Sequence, residues 1–150
     1  MGRLELDVSY AARRPWVPSH GQLSAWAAAA LTSMRRPATL SVRVVGDARS
    51  RSLNAHYRRK DRPTNVLSFA GAGIAPNGRN FLGELVICAP VVAEEARTQG
   101  KTIESHWAHM TVHGVLHLVG FDHERAAEAR KMAAREAQIL DRLGFSDPYR

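Results

Sequence analysis

The sequence predicts an α/β (α+β) fold: one domain over residues 1–150, with a small mixed sheet of about four strands packed with about five helices. Three observations carry that prediction. A strand, a helix and a strand follow one another at the N-terminus with short links, which implies a right-handed crossover between parallel strands. Two apolar, β-prone segments flank a Gly-, Pro- and Asn-rich link in the middle of the chain, and 23 of the 150 residues are Ala, which favours helix.

Leu4, Leu6 and Val8 alternate with Arg3, Glu5 and Asp7, the period-two pattern of a half-buried strand, and Pro15 and Pro18 end it. Ser19 with Gln22 three residues on forms a capping-box signature, so the Ala-rich stretch to about Met34 is predicted as a helix closed by Arg35, Arg36 and Pro37. Leu40, Val42 and Val44 alternate as a second strand. Gly46-Asp47 offers a turn and an N-cap, and Leu53 with Tyr57 marks a short helix running into the basic run Arg58-Arg59-Lys60. Residues 61–64 read as a loop, 66–69 and 81–88 as strands, and 70–80 as the link of a long-looped hairpin. Pro90 suits a first helical turn and Gly100 a helix end; two further helices are predicted over 102–119 and 124–143, with Gly120 and Gly144 as their stops.

Lys and Arg outnumber Asp and Glu 21 to 14, a net charge of +7 spread along the chain, so the surface should attract polyanions. Of the basic residues 18 are Arg, whose planar fork suits phosphate. Charge alone leaves nucleic-acid contact open. Cys88 is the only cysteine, so an intramolecular disulfide is excluded, and a small domain without one reads as intracellular. The N-terminal residues lack the pattern of a signal peptide and no apolar run is long enough to span a bilayer; the expectation is a cytoplasmic protein without a membrane partner.

Five of the seven histidines, His106, His109, His113, His117 and His123, lie within eighteen residues. On a helix the first four fall within an arc of about 80° and share one face. His113 and His117, at i and i+4, can hold one metal ion from adjacent turns, and Gly120 lets the chain turn back to bring His123 to the same ion. Three neutral imidazoles suit zinc, and with no Cys nearby the fourth position is left for water, the mark of a catalytic site. His106 and His109 are assigned structural or ligand-orienting roles. The same spacing occurs in the zinc peptidase motif H-E-x-x-H-x-x-G-x-x-H, but the position of its general base is Gly114 here. Glycine cannot take a proton, so hydrolysis of another bond is favoured.

The run from His113 to His123, HGVLHLVGFDH, resembles the signature of the YbeY family of bacterial endoribonucleases. So do Leu53-Asn54-x-x-Tyr57-Arg58-x-Lys60-Asp61-x-Pro63-Thr64-x-Val66-Leu67-Ser68-Phe69, Gly83 to Cys88, His106 to Met110 and Leu143 to Tyr149, in order, covering about two thirds of the chain. The resemblance implies a single-strand-specific, metal-dependent endoribonuclease acting in ribosomal RNA maturation, including the 3′ end of the small-subunit RNA, and in ribosome quality control. It implies one Zn2+ per chain on His113, His117 and His123, and a functional arginine at Arg58. Two positions depart from the family: Asn65 stands for Asp after Pro-Thr, and Glu84 for Asp after Gly83, so Asn65 is given no catalytic role.

Arg49, Arg51, Arg59, Lys60 and Arg62 form the densest basic segment; with Arg58, the residues Arg59, Lys60 and Arg62 are the expected RNA contacts. Asp122 and Glu84 are candidates for orienting a histidine or shuttling a proton, Asp122 also for capping the last helix. Glu124, Glu128, Lys131 and Arg135 read as the solvated face of that helix, and Trp107, Met110 and Leu118 as core. Ribosomal or small-subunit-associated proteins are the expected partners besides RNA. The rival readings are a metallopeptidase-like hydrolase and a non-catalytic, zinc-containing ribosome-binding protein.

Overall fold

A computed structural model of the chain describes residues 4–32, 34, 36–121 and 124–149. Among them are four strands and five helices: β1 (Leu4–Tyr10), α1 (His20–Ala30), β2 (Ala38–Val45), α2 (Asp47–Arg58), β3 (Val66–Ile74), β4 (Asn80–Cys88), α3 (Ala89–Thr98), α4 (Ile103–Leu118) and α5 (Ala126–Arg142). The sheet order is β1-β2-β4-β3, with β1, β2 and β4 parallel and β3 antiparallel on the edge. The expected mixed sheet and α+β fold are therefore present.

β4 explains the two-layer packing. Its apolar run is continuous because both faces are covered. Leu85 and Ile87 join a core with Leu40, Val42, Trp107, Val115 and Leu116 beneath α4, while Val86 and Cys88 join Val45 and Leu67 under Leu53, Phe69 and Val91. α4 thus lies on one face of the sheet, α2 on the other, and α1 and α5 flank α4. Burying each such aliphatic side chain contributes about 2 kcal/mol.

The predicted capping box is formed: the Gln22 backbone N–H donates to Ser19 Oγ at 3.1 Å, and the Ser19 N–H to Gln22 Oε1 at 2.9 Å. Two boundaries differ from expectation. α1 stops at Ala30, four residues early, because its end tightens: the N–H of Leu31 bonds Ala28 O and that of Met34 bonds Leu31 O, both at 3.0 Å. The hairpin link is also shorter, 75–79 instead of 70–80. Glycines that read as loop sit inside β3 at a register shift between Ala70 and Gly73. A Cβ on Gly71 would lie 2.3 Å from the Phe81 carbonyl oxygen, so only glycine lets the two strands meet there.

α4 runs from the Thr102 cap, whose hydroxyl accepts the Ser105 N–H at 3.1 Å, to Leu118, and Gly120 follows with φ +106°. Trp107 and Met110 are buried and Leu118 packs against the core, as expected. No helix among the described residues is long and apolar enough to cross a membrane.

Candidate active site

The four histidines of α4 form the predicted ladder. Successive ring centroids are 5.9 Å apart for His106 and His109, 6.2 Å for His109 and His113, and 4.7 Å for His113 and His117. The ladder climbs from the core toward solvent: side-chain exposure is 2 % at His106, 9 % at His109 and 23 % at His113.

Acidic side chains from two other helices hold it. Glu95 of α3 meets His106 Nε2 at 2.8 Å and accepts from Asn65 Nδ2 at 3.1 and 3.2 Å. Asn65 Oδ1 in turn accepts the Val66 N–H at 2.6 Å. This is why an amide works at position 65: a carboxylate there would face the carboxylate of Glu95. Burial raises the Glu95 pKa, but the bonds from His106 and Asn65 outweigh it and the carboxyl ends below its ordinary value.

Glu136 of α5 is the centre of the second contact. It meets His113 Nδ1 at 2.6 Å through one oxygen and His109 Nε2 at 2.8 Å through the other, which also accepts the Tyr149 hydroxyl at 2.5 Å. Burial, at 1 % side-chain exposure, would raise its pKa, yet the bonds from His109 and His113 and the Tyr149 hydroxyl bring it down to about 2. The ionised carboxylate sets the ring tautomers. His109 carries its proton on Nε2, leaving Nδ1 as a buried acceptor without a partner among the described residues. Protonating that ring would bury an N–H with no acceptor; burial, offset in part by Glu136, holds its pKa down. His113 carries its proton on Nδ1, so Nε2 is the nitrogen that Glu136 does not engage.

Donor atoms of His109, His113 and Glu136 lie within 4.8 Å of one another, a group that could hold a metal ion. The separations of 2.6 and 2.8 Å are nevertheless shorter than the roughly 3.3 Å between two ligands of a tetrahedral ion bound at about 2.0 Å. They fit protons shared between imidazole and carboxylate. Glu136 is placed to orient the His113 ring, and the donor chemistry of His113 Nε2 beside His117 would suit a divalent metal. A cleft of about 320 Å³ lined by His113, Met132, Glu136 and Tyr149 opens beside them.

The remaining predicted residues fall in different places. His123 and Asp122 lie outside the described residues. Glu84 is not beside a histidine: it pairs with Arg43 at 3.2 Å, and strand alternation with Leu85 points it to the α2 face of the sheet. Arg58 ends α2 on that same face, exposed, as are Arg59, Lys60 and Arg62. The edge strand β3 lies between this helix end and α4: Tyr57 packs on Phe69 at 4.9 Å, and the neighbouring Ser68 hydroxyl donates to Gly114 O at 3.3 Å. Arg51 of the basic segment is taken by Asp61 through two bonds of 2.7 and 3.0 Å. Of the expected solvated face of α5, Glu124 and Lys131 are exposed while Glu128 and Arg135 are half-buried.

Gly114 settles what its position can do. A Cβ there would meet Leu85 Cδ2 at 2.8 Å and Val66 Cγ2 at 3.3 Å, so position 114 faces the sheet and has no room for the base of a peptidase motif. Glu136 was not among the sequence candidates, yet it left a signal. Met132, Glu136, Ile139 and Leu140 occupy one helical stripe, and a lone acid on an otherwise apolar stripe needs a buried partner. Glu95 and Tyr149 gave no such signal.

The profile described as Endoribonuclease YbeY matches residues 18–144. The chain is 51% identical over 152 residues to a protein of Stenotrophomonas maltophilia (strain R551-3) named Endoribonuclease YbeY, with 98% of this chain and 94% of that one covered. It is 52% identical, with the same coverage, to a protein of that name from Xanthomonas campestris pv. campestris (strain B100). A Thermotoga maritima protein of known solution structure shares the fold, with a TM-score of 0.61 at 22% identity over 91% of this chain and 87% of that one. With relatives this similar over nearly its whole length, the chain belongs to the YbeY family of endoribonucleases, enzymes that hydrolyse RNA.

Proposed function

We propose that this protein is a zinc-dependent endoribonuclease specific for single-stranded RNA, acting in the cytoplasm on ribosomal RNA maturation, including the 3′ end of the small-subunit RNA, and in ribosome quality control. In this reading His113, His117 and His123 hold one Zn2+ per chain. The observation that carries it is the 2.6 Å bond from His113 Nδ1 to the buried carboxylate of Glu136, with His117 one helical turn away at 4.7 Å between ring centroids. That bond fixes the tautomer and orientation a metal-binding imidazole needs.

A zinc ion held there would supply Lewis-acid chemistry, activating a water and polarising a phosphate oxygen. The chain's own residues do the rest. Glu136 holds the His113 ring against rotation. Arg58 offers a two-pronged fork to the phosphate that is cut, bearing charge as it builds on the oxygens. Arg59, Lys60 and Arg62 neutralise flanking phosphates, which makes binding fall steeply with salt. Target choice rests partly on ribosomal or small-subunit-associated proteins, since so small a chain contacts only a short stretch of RNA.

The test is to measure zinc content and cleavage of a single-stranded oligoribonucleotide and of its duplex by the full chain. His117→Ala should lose zinc and lower cleavage by about a thousandfold or more, and Arg58→Ala should lower it by about a hundredfold with zinc still bound. A folded, zinc-loaded protein that leaves RNA intact would support the non-catalytic ribosome-binding reading, and cleavage of casein instead the peptidase reading.

A further inference from the structure

We propose that Tyr57 is a stacking platform for an unpaired base of the RNA, placed to deliver the adjoining phosphate to Arg58. The proposal rests on the ribonuclease reading and specifies how that site recognises a single strand.

Three large apolar or aromatic side chains are strongly exposed among the described residues: Tyr57 at 60%, Ile74 at 57% and Tyr149 at 55%. Ile74 ends a strand at the hairpin tip, and Tyr149 is engaged through its hydroxyl with Glu136. Tyr57 has no such explanation. Its ring is nonetheless held in place, edge-to-face with Phe69 at 4.9 Å and with His56 at 4.5 Å. Set by two ring neighbours and still exposed, the outer face of Tyr57 is available to a partner.

The surroundings say what that is. Arg58, Arg59, Lys60 and Arg62 are exposed and make no ion pair among the described residues, and the one acid in the segment, Asp61, is occupied by Arg51. The loop is also pinned beside the ring. Arg59 takes a left-handed conformation with φ 58°, the Lys60 N–H returns to Asn54 O at 3.3 Å, and Asn54 Nδ2 donates to Arg62 O at 2.9 Å. Tyr57 and Arg58 follow one another in the exposed last turn of α2, and the fold-back onto the buried Asn54 keeps Arg59, Lys60 and Arg62 beside that turn, so the ring, the guanidinium and the cations share one helix end. A flat π surface among unneutralised cations matches a single-stranded polynucleotide, whose bases stack while its phosphates find the charges. A duplex keeps its bases stacked on one another and cannot offer one to Tyr57.

The experiment measures binding of the metal-loaded full chain to a labelled, 2′-O-methylated single-stranded oligoribonucleotide by fluorescence anisotropy, over a range of salt. Tyr57→Ala should weaken binding about tenfold or more and leave the slope of log affinity against log salt unchanged, because no charge is lost. Tyr57→Phe should stay within about twofold of the parent, and the duplex of the same sequence should bind alike to all three. Should Tyr57→Ala prove misfolded by circular dichroism, Tyr57→Leu keeps apolar contact with Phe69 while removing the ring, and should show the same loss. Parental affinity in the ring-less variants, or a loss equal on duplex and single strand, overturns the proposal. If the parent chain neither binds nor cuts single-stranded RNA, it is the ribonuclease reading that has failed.

Discussion

The histidine face of α4 and the basic end of α2 flank the edge strand β3 and are built in opposite ways. On α4, His106, His109 and His113 are each bound to a carboxylate of another helix and are mostly buried. At the end of α2, Arg58, Arg59, Lys60 and Arg62 are exposed and form no ion pair among the described residues. In the proposed reading, the difference follows from what each partner demands. A metal ion needs lone pairs fixed in direction, which buried hydrogen bonds provide. A phosphate backbone needs only charge that no neighbouring acid has cancelled.

The largest disturbance to this contrast should come from Glu136→Gln. An amide cannot accept from both imidazoles and the Tyr149 hydroxyl, so the His113 ring loses its fixed orientation. Zinc affinity, read by competition with a chelator, should fall about ten- to a hundredfold, with a lower melting temperature. Gly114→Ala comes next and leaves the metal chemistry alone. It should cost about 1–3 kcal/mol in urea unfolding, toward the lower end because the nearest atom, Leu85 Cδ2, belongs to a side chain that can turn aside. The smallest effect is expected from Arg51→Ala. Its pair with Asp61 is exposed and screened by water, so the melting temperature should hardly move, and RNA binding should weaken only slightly despite the lost charge.

Much of this was legible in the sequence, for physical reasons. Period-two alternation in 4–8 and 40–44 marked strands because their two faces meet different surroundings, and the Ser19–Gln22 box marked the start of α1 because both halves of the cap are local. The histidine face was legible from helical spacing alone. What escaped depends on contacts between distant residues. Gly71 and Gly73 read as loop, since nothing local shows that β3 presses against the Phe81 carbonyl. Glu84 was named as a candidate acid and Glu136 was not, whereas the acid that meets His113 lies 23 residues beyond it, on α5. Asn65, given no role from the sequence, makes sense only beside Glu95.

The central claim, that metal is held by His113 and His117 with Glu136 behind them, is tested most directly by zinc stoichiometry in two single variants, His117→Ala and His109→Gln. Gln can still donate to Glu136, so the account predicts that His109→Gln keeps about one zinc per chain while His117→Ala loses it. Zinc retained in His117→Ala and lost in His109→Gln would contradict the account and assign the ion to His109, His113 and Glu136 instead.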